Sequence, residues 1–82
     1  MEFLLSNIAK LHTTPLGRER IMRNLSLQDC DVVDSMRNLI LKDSAIIERK
    51  GKNYYITIED FRITVNAHSF TIITAHKIKI LQ

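Results

Sequence analysis

From Tyr54 to Asn66 the chain alternates between apolar and polar side chains. Tyr54, Ile56 and Ile58, then Phe61, Ile63 and Val65, recur at every second position, with Tyr55, Thr57, Arg62, Thr64 and Asn66 between them. A helix spreads a period of two around its whole circumference, whereas a strand sorts it cleanly onto two faces. The pattern therefore demands an antiparallel sheet with one buried face and one face in water. The wet face is unusual for carrying hydroxyls, an amide and a guanidinium in place of a mixture of Glu and Lys. That makes it the candidate functional surface.

Four strands are expected, near 45–50, 52–58, 61–66 and 69–80. Lys50-Gly51-Lys52-Asn53, Glu59-Asp60 and Asn66-Ala67-His68-Ser69 have the composition of the turns between them. The last segment changes phase, since Phe70, Ile72, Ile78 and Ile80 share one parity while Ile73 and Ala75 take the other. A bulge near Ile72-Ile73 reconciles the two and turns Thr74 and His76 to the wet face. Without that bulge both residues point into the core.

The first half reads as helical. Phe3, Leu4, Leu5, Ile8 and Leu11 mark a first amphipathic helix ended by His12-Thr13-Thr14-Pro15. Thr14 suits the cap of a second helix, about Pro15 to Leu25, with Pro15 where a missing N–H costs nothing. Gly17, one turn before Ile21, permits close packing. Ser26-Leu27-Gln28-Asp29 fits a capping box for a third helix running to about Lys42, with Val32, Val33, Met36, Leu39 and Ile40 as its apolar stripe. The expected fold is α+β, three N-terminal helices packed on one face of a four-stranded antiparallel sheet. Residues 1–82 are read as a single domain, 1–43 helical and 44–82 sheet.

Composition narrows the function classes. Cys30 is the single cysteine, which excludes an internal disulfide framework, and the histidines at 12, 68 and 76 are too scattered for a local metal motif. Neither a metal nor another cofactor is expected. Glu2 stands where a signal peptide needs a basic residue, and no apolar run approaches the roughly 20 residues of a membrane span, so a cytoplasmic protein without membrane contact is expected. Residues 1–43 carry six Lys/Arg and six Asp/Glu, whereas residues 44–82 carry six Lys/Arg against three acids. The whole +3 excess sits on the sheet half, which suits RNA, another nucleic acid, or an acidic protein partner.

His76 heads the candidates for chemistry, because an imidazole with an ordinary pKa of about 6.5 both takes and gives a proton at neutral pH. His68 lies eight residues earlier, across a turn that could set the two on neighbouring strands. A histidine pair beside a cation is the minimal kit for metal-independent RNA cleavage, with Arg62 or Lys77 on the charged phosphorane. Thr64, Asn66, Thr71 and Thr74 then supply donors for phosphate or 2′-hydroxyl oxygens, although such residues also fill strands and turns simply because they fit there. Tyr54 and Tyr55 cannot both be core. Tyr55 is expected outside, where beside Arg49, Lys50 and Lys52 it could stack on a base. A winged helix-turn-helix order is also present, but Asp29, Asp31 and Asp34 at the start of its recognition helix would repel phosphates.

Leu11-His12-Thr13-Thr14 with Gly17, Arg20 and Ile21, followed by Arg49 to Tyr55, Ile63 to Asn66 and Thr71 to Lys77, resembles a family of small bacterial proteins of unknown function. More distantly, helices followed by a four-stranded sheet ending in Thr74-Ala75-His76 are similar to the barnase, EndoU, colicin and RelE-like ribonucleases. That resemblance implies a role for Thr74 and His76, with Arg62 and Lys77 as basic partners.

The leading expectation is a small metal-independent ribonuclease of toxin type acting through the open sheet face. Its catalytic candidates are His76, His68, Arg62 and Thr74, and its nucleic-acid-binding candidates are Arg49, Lys50, Lys52, Tyr55, Thr64, Asn66 and Lys77. The alternative is a non-catalytic module that binds nucleic acid or a protein, for example an inhibitor or regulator of a nucleic-acid enzyme. An antitoxin or target enzyme is the protein partner each reading implies, and an open sheet edge with a modest core suits a homodimer.

Overall fold

The computed structural model describes residues 3–27 and 31–78. Four strands, β1 (Ile46–Lys50), β2 (Asn53–Ile58), β3 (Phe61–Asn66) and β4 (Ile72–Lys77), form one sheet in the order β1-β2-β3-β4. All three pairings are antiparallel. The turns fall where their composition put them. Gly51 adopts φ 58° between β1 and β2, a left-handed conformation that costs glycine nothing.

Alternation sorts the sheet as its period requires. Tyr54, Ile56, Ile58, Ile63, Val65, Ile72 and Ala75 are buried on one face. Against them lie two helices, α2 (Pro15–Leu25) and α3 (Val32–Ile40), preceded by a short helical turn, α1 (Phe3–Ser6). Each longer helix buries residues four apart, Gly17, Ile21 and Leu25 on α2 and Val32, Met36 and Ile40 on α3. That spacing keeps one stripe on the sheet. Thr14 caps α2, its hydroxyl accepting from the Gly17 N–H at 3.0 Å, and Pro15 occupies the first helical position. No described helix is long and apolar enough to cross a membrane.

The helical half corrects several expectations. The first helix is not a third packed helix. It is one turn followed by a 3-10 turn at Ile8–Lys10, broken at Asn7, which takes φ −119°. Asparagine competes for backbone hydrogen bonds outside the helix, and so short a segment cannot repay the cost of nucleation. Leu4 and Leu11 still reach the core. The third helix ends at Ile40 instead of near Lys42, and its cap is Asp31, which accepts from the Asp34 N–H at 3.1 Å. Ser26 is the left-handed C-cap of α2 (φ 55°) instead of opening the next helix. Gln28 and Asp29 of the expected capping box, and Cys30, lie outside the described residues.

β4 is shorter than the expected 69–80, and residues 79–82 lie outside the description. Its start is set by the turn before it, where Phe70 takes φ 58°. Val65 pairs with Ile72 and Thr64 with Thr74, so Ile73 is an extra residue in β4. Ile73 is left 39% exposed while Ile72 is 1% exposed. This bulge absorbs the change of phase.

The sheet's two edges differ. Outside β4, the His12 carbonyl accepts from the Ile72 N–H at 2.7 Å and the Thr13 hydroxyl donates to the Ile72 carbonyl at 2.9 Å. Further along, the Asn24 amide donates to the Ala75 carbonyl at 3.2 Å. At β1, by contrast, no described strand pairs with the outer side, and the strand is exposed at Ile46, Glu48, Arg49 and Lys50.

Candidate functional site

Three rows of side chains cross the face opposite the helices. Directly paired residues of antiparallel strands share a face. Ile46, Thr57, Arg62 and His76 therefore make one row, and Glu48, Tyr55, Thr64 and Thr74 the next. Lys50, Asn53 and Asn66 make the third, beside the turns. Arg62 and His76 are direct cross-strand partners and both are exposed. With the bulge at Ile73, His76 stands on this face instead of in the core.

Tyr55 lies diagonally from Arg62, half-buried, with its hydroxyl 3.3 Å from the Asn53 amide nitrogen. A hollow of about 250 Å³ is lined by Glu48, Lys50, Tyr55 and Arg62. It combines an aromatic ring, two cations and one carboxylate. Thr64, between Tyr55 and Thr74, is only 8% exposed, so its neighbours cover it and a ligand on the face does not reach it directly.

The remaining candidates lie elsewhere. Arg49 shares the side of Tyr54, its guanidinium 5.5 Å from that ring's centre and its Nε donating to the Gly51 carbonyl at 2.9 Å. Lys77 pairs with Phe61 and so falls on the helix side of the sheet. Lys52 and His68 are in the two turns at one end. Asn66 is held by the turn that follows it, its side-chain oxygen accepting from the His68 N–H at 2.8 Å and the Ser69 N–H at 2.9 Å.

His68 is consequently not a partner of His76. The four steps from Arg62 to Asn66 span about 13 Å at roughly 3.3 Å per residue, and His68 lies beyond that end. A turn brings adjacent strands together, but residues at opposite ends of a hairpin stay a strand's length apart.

Two features went unread in the sequence. Glu48 joins the open face, a placement that counting back from the Lys50–Asn53 pair would have supplied. His12 joins the sheet through a parallel bridge to Thr71, and its Nε2 lies 3.0 Å from the Thr71 hydroxyl. No local pattern signals a contact between residues 59 positions apart. Among the described residues, no three of the His, Cys, Asp and Glu side chains gather as a metal site would need.

A family model described as a protein of unknown function, DUF3781, matches residues 5–76. The chain belongs to DUF3781. The DUF3781 match runs from before His12 through the bulge to His76, so it takes in the whole open face as well as the segment that closes the β4 edge. No curated protein and no solved structure matches the chain. The similarity to barnase, EndoU, colicin and RelE-like ribonucleases therefore gains no support from related proteins, and membership of DUF3781 brings no activity with it.

Proposed function

We propose that the open sheet face binds single-stranded RNA and cleaves it at a phosphate held by Arg62. The observation that carries this reading is the direct pairing of His76 with Arg62 on an exposed face, with Tyr55 on the diagonal. Arg62 offers a planar fork of donors that fits phosphate oxygens, and it cannot lose its charge. Tyr55 offers a face for one base, which every base can use. His76 takes the proton from the 2′-hydroxyl next to the phosphate on Arg62. The 2′-oxygen then bonds to phosphorus and the bond to the 5′-oxygen breaks. The leaving oxygen takes a proton from solvent, and the products are a 2′,3′-cyclic phosphate and a 5′-hydroxyl end.

One observation favours a second reading, in which the same face binds RNA without turnover. Among the described residues His12 stands at the Thr71 end of the sheet and His68 in the turn beyond it, so neither is beside His76, and the pair that would divide proton removal from proton delivery is lacking.

A single experiment separates the two. Purified protein is incubated with a mixed-sequence RNA in EDTA, and the ends produced are identified. Cyclic phosphate ends that disappear with His76→Ala support cleavage. Salt-sensitive RNA binding without cleavage, lost when Arg62 and Lys50 are both neutralised, supports the binding module. RNA that is neither cut nor bound overturns both.

A further inference from the structure

At the turn end of the sheet, away from His76, a hollow of about 610 Å³ lies between the β1–β2 and β3–β4 turns. Its polar lining is Arg49, Lys52, Asn66, His68 and Ser69, with no carboxylate among the lining residues. The two turns are joined directly, the Ala67 N–H donating to the Lys52 carbonyl at 2.7 Å. Arg49 is oriented in advance by Gly51 and the Tyr54 ring. Two backbone N–H groups and the Ser69 hydroxyl fix the Asn66 oxygen toward its own turn, so the other end of that amide carries two further donors.

Ser69 belongs to a chain of hydrogen bonds that leaves the hollow. Its hydroxyl is 2.7 Å from the Thr71 hydroxyl, which is 3.0 Å from His12 Nε2, and His12 Nδ1 is 3.0 Å from the Lys10 carbonyl. A carbonyl only accepts, so Nδ1 carries a proton. The Ser69 hydroxyl also donates to the Asn66 side-chain oxygen, at 3.2 Å. The cations around this chain are Lys10, whose amine is 6.0 Å from the Phe70 ring centre, and Arg49 and Lys52 in the hollow.

We infer that this hollow binds the phosphate group of a nucleotide-sized ligand. A guanidinium, an ammonium, an amide and a hydroxyl converge on it, which suits a tetrahedral oxyanion with several acceptor oxygens. Its size falls within the usual range for small-molecule sites and exceeds what a bare phosphate fills. The site stands on its own residues and does not depend on cleavage at His76.

The test is a titration of the whole chain, followed by NMR, with inorganic phosphate, a ribonucleoside monophosphate, and RNA oligomers with and without a 5′-phosphate. Saturable shifts confined to residues 49–52 and 66–69 support the site. Lys52→Ala then binds about tenfold more weakly, as the loss of one charge-assisted contact implies. An unchanged amide spectrum shows that this variant is folded. Binding of 5′-phosphorylated RNA alone assigns the phosphate to an RNA end, and binding of the mononucleotide assigns it to a free nucleotide. No saturable shift with any ligand, or shifts spread equally over Lys10, Lys42 and Lys77, overturns the inference. Failure of RNA cleavage in the His76 experiment leaves this result untouched.

Discussion

The two edges of the sheet are built differently. β4 is closed by residues far away in sequence, through the His12 backbone, the Thr13 hydroxyl, the Asn24 amide and the packing of α2. β1 has no such cover and exposes Glu48, Arg49 and Lys50, the kind of charged residues that discourage strand pairing. The difference follows the bulge. Ile72, the residue immediately before it, is bonded through both its N–H and its carbonyl to the His12-Thr13 segment. Of the two edge strands, the one that carries His76 is therefore held from both sides, while β1 is held from one.

Four substitutions test that contrast. The largest effect is expected at His76 itself. Removing a proton-transfer group lowers a rate by about 10²–10⁴-fold, so His76→Ala should all but abolish RNA cleavage. The residue is exposed, so its unfolding free energy should move by no more than about 0.5 kcal/mol in a denaturant titration. Loss of stability on that scale or larger would make His76 a structural residue.

Gly17→Ala comes next. A methyl group at Gly17 would run into the Thr13 hydroxyl and press on the Thr14 hydroxyl and the Ile72 carbonyl. Alanine favours the helix by about 1 kcal/mol, but crowding of this kind costs about 1–3 kcal/mol and displaces the Thr13 bond. A net loss of about 1–2 kcal/mol is expected, together with weaker hydrogen-exchange protection along β4. A gain in stability would show that α2 does not need to approach the edge so closely.

Thr13→Val keeps the shape and deletes the bond to the Ile72 carbonyl. The expected cost is about 1 kcal/mol, the net worth of one part-buried hydrogen bond. Lys50→Ala on the bare edge should change stability by less than about 0.5 kcal/mol. If it cost as much as Thr13→Val, the two edges would not differ in the way proposed. A concentration-dependent rise in mass for Lys50→Ala would instead show that the charge on β1 keeps copies apart.

How much could be read in advance varied with the range of the interaction. The strands from Tyr54 to Asn66 were legible to within a residue, because period and turn composition are local. The bulge was legible only as one of two alternatives, since Phe70 and Ile72 take one parity and Ile73 and Ala75 the other, and the pairing of Val65 with Ile72 and Thr64 with Thr74 decided it. The first helix was misread. Leu4, Ile8 and Leu11 have helical spacing, but Asn7 interrupts it and the chain reaches the core by two short turns instead. The pairing of His68 with His76 failed on strand length, and the expectation that Arg49 would stand beside Tyr55 failed on parity, since Arg49 pairs with Tyr54.

The sequence by itself determined the antiparallel sheet, its turns and the capped start of α2. Each is set by residues a few positions apart, through side-chain alternation, the φ preferences of glycine and proline, or a hydroxyl reaching its own helix. Only the tertiary structure decided which edge is covered, that His12 meets Thr71, and that two basic turns enclose a hollow with Ser69. Those outcomes depend on how the helical half folds back over the sheet, and that path is chosen by burying Ile21, Leu25, Met36 and Ile40 together with the strand residues. Burial is non-directional and collective, so no local pattern announces which distant polar groups it will bring within hydrogen-bonding range.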